Sequence, residues 1–157
     1  MGASLERPEV VLDTMNRLLF LCSGNYYRSR FAEEVFNYQA RAFMSDWRAD
    51  SRGLHLNPNN IGPIAEVVLR RLAWLEVKPT NAGRPPEALN QSDLEDAGLV
   101  IAMSRQEHYP LMRKMYPTYA DQITYWDVED TGRMPPDVAF RKIELLVDRL
   151  IDDVYRS

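Results

Sequence analysis

Leu18-Leu19-Phe20-Leu21, followed at once by Cys22-Ser23-Gly24-Asn25-Tyr26-Tyr27-Arg28-Ser29, is the stretch from which the fold can be read. An unbroken apolar run of this length suits a strand buried on both faces. The polar turn Ser23-Gly24-Asn25 ends it. Beyond the turn Phe31, Val35, Tyr38 and Ala42 recur at helical spacing, with Ala32, Phe36 and Phe43 beside them. A strand running through a tight turn into an amphipathic helix is the opening of a βαβ unit.

The alternation continues downstream. Asp46 to Ser51 reads as a strand ended by Gly53. Ile61, Ile64, Ala65, Val68, Leu69 and Leu72 predict a second amphipathic helix, with Pro63 in its first turn. The span from Glu76 to Asn90 holds Pro79, Gly83, Pro85 and Pro86 and reads as loop. Ser92 with Glu95, and Ser104 with Glu107, fit capping boxes that open helices on either side of the strand Leu99 to Met103. The second of these helices should end near Pro117. Ile123-Thr124-Tyr125-Trp126 is rich in β-formers. Pro135-Pro136 leads into a last helix with the stripe Ile143, Leu146, Val147, Leu150, Ile151 and Val154. The pattern predicts an α/β fold of βαβ units: an open parallel sheet with helices on both faces. Ligands of such sheets sit outside the carboxyl ends of the strands, so the loops after Leu21 and Trp126 matter most.

Composition narrows the function. The chain has 157 residues, 27% of them charged, and a formal net charge of −4, which argues against nucleic-acid or anionic-membrane partners. Its single cysteine, Cys22, excludes an internal disulfide and a cysteine-rich metal site. His55 and His108 have no acidic or cysteine partners at ligand spacing and read as surface or helix histidines, so neither a metal nor a cofactor is expected. Trp47, Trp74 and Trp126 read as core or rim. Asp148, Asp152 and Asp153 fall on the polar face of the last helix and read as solvated surface. The first fifteen residues carry Glu6, Glu9 and Asp13 and do not read as a targeting segment. A cytoplasmic location is expected.

A turn entering a helix points successive backbone N–H groups inward and adds the positive end of the helix, which makes an anion cradle. A cysteine at its lip is placed to act as a nucleophile in its thiolate form. Arg28 can hold two oxygens of an anion bidentately, and Ser29 can donate a hydroxyl hydrogen bond to the sulfur. Gly24 offers the turn an unusual backbone conformation, and Asn25 tolerates the left-handed one. Ser23, Gly24, Asn25, Tyr26, Tyr27, Arg28 and Ser29 are therefore the candidate anion-binding residues. The plainer account makes Cys22 a small buried hydrophobe in a structural α/β domain.

The octapeptide, set between the apolar run and a helix, resembles the active-site loop of the low-molecular-weight protein-tyrosine phosphatase family and its arsenate-reductase-like relatives. The likeness runs from Arg17 to the end and includes Asp50-Ser51-Arg52-Gly53, Leu94 to Met103 and the final helix. It implies a small, open, four-stranded parallel sheet with helices on both faces and a phosphate-binding loop after the first strand, in a phosphatase-like domain over residues 17–157 preceded by an N-terminal extension over residues 1–16. It also implies hydrolysis of phosphate monoesters, phosphotyrosine in proteins above all, through a cysteinyl-phosphate. Phosphorylated proteins or small aryl phosphates would be substrates, and inorganic phosphate or a similar oxyanion the product or inhibitor.

The family places its general acid in an Asp-Pro pair after the last strand. Here the segment is Asp127-Val128-Glu129-Asp130-Thr131-Gly132, with no such pair. Laying Trp126 on the aromatic pair of the related reductases favours Asp130 as the acid over Asp127. The likeness thus makes Cys22, Arg28 and Asp130 the catalytic candidates. Other departures are Tyr27, where many members keep a second cysteine, and Arg30, which adds positive charge at the mouth if exposed. Tyr26 and Tyr27 either wall the site or pack on the sheet. The alternatives to a phosphatase are an arsenate-reductase-like enzyme or a non-catalytic oxyanion binder.

Overall fold

The computed structural model describes residues 16–43 and 45–156, so most of the expected extension over residues 1–16 lies outside the described residues. Strand β1 (Arg17–Cys22) is followed by helix α1 (Arg28–Ala42) and strand β2 (Arg48–Gly53). Then come α2 (Glu66–Trp74), α3 (Gln91–Asp96), β3 (Leu99–Ala102), α4 (Arg105–Met115) and α5 (Pro117–Ala120). Strand β4 (Thr124–Tyr125) and the long helix α6 (Pro136–Arg156) complete the order. The strands lie β2-β1-β3-β4, all parallel.

The register explains the unbroken apolar run. Phe20 pairs with Ser51 on one side and Ile101 on the other, so β1 has no free edge. Its even residues, Leu18, Phe20 and Cys22, face a core with Phe31 and Phe36 of α1, Val68 and Leu72 of α2, and Phe140, Ile143 and Val147 of α6. Its odd residues, Leu19 and Leu21, face a second core with Leu94 of α3, Met112 of α4 and Ala120. Removing a ring such as Phe20, which is fully buried, would cost about 3–5 kcal/mol. From β1 the chain steps out to β2 on one side and returns to β3 on the other. The strand order therefore switches beside the end of β1, where ligands of open sheets bind.

Several local expectations move. Helix α2 starts at Glu66, so Pro63 precedes it and Ile61 is exposed; Ile64 and Ala65 are buried ahead of the helix. The box that opens α3 is Asn90 with Asp93, not Ser92 with Glu95, because the Asn90 side chain accepts from the Asp93 N–H and the Asp93 carboxylate from the Asn90 N–H. Strand β4 is shorter than the β-formers suggested, since only Thr124 and Tyr125 meet β3. Among the described residues no helix is long and apolar enough to cross a membrane.

Candidate active site

The loop after β1 is held from beneath. Asn25 takes the left-handed conformation, φ 50°, and its side chain uses every bonding position it has. Nδ2 donates to Ser29 Oγ at 3.0 Å and to Ser51 Oγ at 2.9 Å. Oδ1 accepts from Arg84 Nη1 at 3.1 Å and from the Glu87 N–H at 3.0 Å. Gly24 does not adopt the left-handed conformation, and a Cβ there would meet only Asn60 at 3.5 Å, so the expected backbone demand falls on Asn25 instead. The glycine that close packing requires is Gly53, where a Cβ would lie 2.7 Å from the Ser23 carbonyl oxygen and 2.6 Å from Leu56.

Below Asn25 lies a buried charged group. Glu33 is fully buried and accepts from Ser51 Oγ, from Asn81 at 2.7 Å and from Arg84 at 3.3 Å. Burial pushes its pKa up against the pull of those donors. Arg30, expected at the mouth if exposed, is buried instead. It donates to the carbonyls of Pro63 and Asn81, both at 2.8 Å, and so ties the loop to two other segments.

Cys22 is buried, with its sulfur 2.9 Å from Ser29 Oγ, and it lines a cavity of about 570 Å3. Ser23, Gly24, Tyr26, Tyr27 and Arg28 share that lining with His55, Leu56, Pro58 and Asp130. Both tyrosines line the cavity, and the ring that Tyr27 meets is on helix α6 rather than on the sheet. Tyr26 stands at the cavity wall and donates to the Ile61 carbonyl at 2.6 Å. Tyr27 packs edge-on against Phe140 at 5.4 Å, and its buried hydroxyl has no hydrogen-bond partner among the described residues. Burial first, then the charge of Asp130, pushes its pKa up to about 12.

Arg28 is almost fully buried. Nη1 donates to Glu107 Oε1 and to the Val128 carbonyl, both at 3.0 Å, and Nη2 donates to Glu107 Oε2 at 3.0 Å. Burial alone would lower its pKa, but Glu107, the Cys22 sulfur and Asp130 outweigh it and raise it. Asp130 is exposed at the cavity, with Oδ2 3.8 Å from Arg28 Nη2. Asp127 is turned away and pairs with Lys142 at 3.0 Å.

Glu107 is the residue that sequence reasoning missed. It was read as half of a capping box with Ser104, and Ser104 does cap α4 by accepting from the Glu107 N–H. The Glu107 carboxylate, however, leaves the helix end for Arg28, Ser23 Oγ and His108 Nε2. His108 lies on a helix as read but is fully buried, not at the surface. Glu33, Asn81 and Arg84 were missed as well; the only signal was a carboxylate and a charged loop residue in otherwise unremarkable places.

The profile of the family "Low molecular weight phosphotyrosine protein phosphatase" matches residues 17–133. The chain belongs to that family of phosphatases. Among solved structures it resembles a low molecular weight protein tyrosine phosphatase from T. tengcongensis, with 31% identity and a TM-score of 0.74, over 87% of this chain and 98% of that one. It also resembles YfkJ from Bacillus subtilis, at 23% identity and TM-score 0.76, over 90% and 96% of the two chains. The YwlE arginine phosphatase from Geobacillus stearothermophilus shares the fold at 21% identity and TM-score 0.70, over 88% and 92%. Comparison with curated proteins by sequence finds no match. The α/β sheet with its loop after the first strand is thus the phosphatase-family fold.

Proposed function

We propose that the chain hydrolyses phosphate monoesters, with phosphotyrosine in proteins as its substrate class, through a cysteinyl-phosphate on Cys22. One observation carries this reading: the Cys22 sulfur lies 2.9 Å from Ser29 Oγ in a cavity that Arg28 and Asp130 also line. In the first step Cys22 attacks phosphorus in line and the bond from phosphorus to the leaving oxygen breaks. The leaving oxygen takes the proton of Asp130. Arg28 and the amides of residues 23–29 meet the charge on the equatorial oxygens, which supplies most of the stabilisation. In the second step the Asp130 carboxylate takes a proton from water, the water oxygen attacks phosphorus, and the sulfur–phosphorus bond breaks. Inorganic phosphate leaves and Asp130 is protonated again.

Support for an aryl substrate comes from the cavity wall, where Tyr26, Leu56 and Pro58 offer apolar surface to a ring. Support for Asp130 over Asp127 comes from the cavity position of the first and the Lys142 pairing of the second. A lone reactive thiol suits a reducing compartment, so the cytoplasm is the proposed location.

Hydrolysis of p-nitrophenyl phosphate by wild type and by Cys22→Ser, Asp130→Asn and Asp127→Asn tests the reading. Cys22→Ser should be inactive, Asp130→Asn slower by about 10²–10⁴-fold, and Asp127→Asn close to wild type. Undiminished activity in Cys22→Ser ends the proposal; a crippled Asp127→Asn beside a mild Asp130→Asn reassigns the acid. Phosphotyrosine, phosphoserine and phosphoarginine peptides then rank the substrates, with phosphotyrosine expected first.

A further inference from the structure

We infer that Glu107 is a positioning residue for Arg28, holding one edge of the guanidinium so that the opposite edge stands open as a two-donor fork for the phosphoryl group. The inference rests on the proposed role of the cavity as an oxyanion site and adds a residue to it. A guanidinium carries five N–H groups in a rigid plane. Three of Arg28's are engaged: both on Nη1, by Glu107 and the Val128 carbonyl, and one on Nη2, by Glu107. The other two are the Nε–H, which is buried and has no hydrogen-bond partner among the described residues, and the second N–H of Nη2. These point from the same edge of the plane. That is the bidentate geometry an oxyanion accepts.

The free edge is also the edge at the cavity. Arg28 and Asp130 line the cavity and Glu107 does not, and Nη2 is the nitrogen that lies 3.8 Å from Asp130. Glu107 thus pairs with Arg28 from behind. It is held there in turn. The Ser104 N–H donates to His108 Nδ1 at 3.0 Å, so the ring proton is on Nε2, 3.1 Å from Glu107 Oε2. Ser23 Oγ donates to the same oxygen. The carboxylate is therefore a fixed anchor, and residue 23 of the cradle shares that anchor with Arg28.

The opposite expectation is concrete. If Glu107 were only a competing anion occupying Arg28, removing its charge would strengthen oxyanion binding. The positioning role demands the reverse, because a released guanidinium no longer presents its fork. Binding of tungstate, measured by calorimetry, and p-nitrophenyl phosphate kinetics on Glu107→Gln and Glu107→Ala separate the two. Both variants should bind tungstate at least about tenfold more weakly and lose about 10- to 100-fold in kcat, the scale of a misplaced catalytic group. Glu107→Gln, being isosteric, keeps the test open if Glu107→Ala fails to fold. In an Arg28→Lys background the further change Glu107→Gln should cost clearly less tungstate affinity than it does in the wild type, since the fork it holds is gone and only the Ser23 contact is left to lose. Unchanged or tighter tungstate binding by Glu107→Gln overturns the inference, as does an equal loss in the Arg28→Lys background. Failure of the phosphatase reading shows elsewhere, as Cys22→Ser with undiminished turnover, and leaves the tungstate affinities interpretable.

Discussion

The hydroxyl of Ser29 is aimed at the sulfur of Cys22. Its oxygen accepts from Asn25 Nδ2 at 3.0 Å, so its own proton is directed to the sulfur 2.9 Å away. A hydrogen bond to sulfur favours it most when it carries charge, as the attacking group and as the group expelled from a cysteinyl-phosphate.

Ser29→Ala should lower kcat by about tenfold, the worth of one hydrogen bond to a charged partner, with little change in KM. Because expulsion of the sulfur suffers as well as attack, rapid mixing with p-nitrophenyl phosphate should show a burst of nitrophenol followed by slow turnover. A variant with wild-type kcat and no burst denies Ser29 this role.

Asn25→Asp tests the direction of that proton. A carboxylate oxygen in place of Nδ2 accepts where the amide donated, and turns the Ser29 proton away from Cys22. We expect a loss in kcat at least as large as that of Ser29→Ala, and no additional loss when the two are combined. Strict additivity of the two changes in ln kcat would refute the coupling.

Gly53→Ala should destabilise the fold by about 1–3 kcal/mol, the usual cost of forcing an extra methyl group into packed surroundings. The new methyl group would press on the Ser23 carbonyl oxygen, so the distortion reaches the cradle itself. Urea midpoints and p-nitrophenyl phosphate kinetics should fall together; a drop in stability with full activity would show that the loop does not feel the contact.

Acid should weaken the fold partly through Glu107. Burial would raise its pKa, but hydrogen bonds from His108, Arg28 and Ser23 outweigh burial and hold the carboxyl well below its ordinary value of 4.5. The unfolded chain then takes up this proton at higher pH than the folded one. The stabilising contribution is complete above about pH 4.5 and drains away as the pH falls below it. Glu107→Gln lacks that contribution, so its urea midpoint should drop less than the wild type's between about pH 6 and about pH 3. Parallel pH profiles would show that Glu107 carries no such linkage.

The sheet was readable because each of its signals is local. Leu18 to Leu21 had to be buried on both faces, and the stripe from Phe31 had to be a helix. The loop from Cys22 to Ser29 was legible for the same reason, since its chemistry lies in eight consecutive residues. Its supports are not local. Arg84 and Asn81 sit in a stretch whose prolines and glycine say only that it is neither helix nor strand, yet they reach Asn25 and Glu33. Glu107 carried a valid local explanation as a capping residue, and that hid its partner 79 positions away. Arg30 was expected to be solvated if it faced the mouth; two carbonyls brought in by other segments let it be buried.

Because the cradle borrows Ser51, Arg84, Glu87 and Glu107 from distant parts of the chain, only the native state can hold an oxyanion in it. Ligand occupancy and folding are then one linked equilibrium. An oxyanion at a hundredfold excess over its Kd should add about 2.7 kcal/mol to the stability of the native state. A melting temperature that climbs with the concentration of tungstate would report occupancy of the cradle even in a variant, such as Cys22→Ser, that turns nothing over.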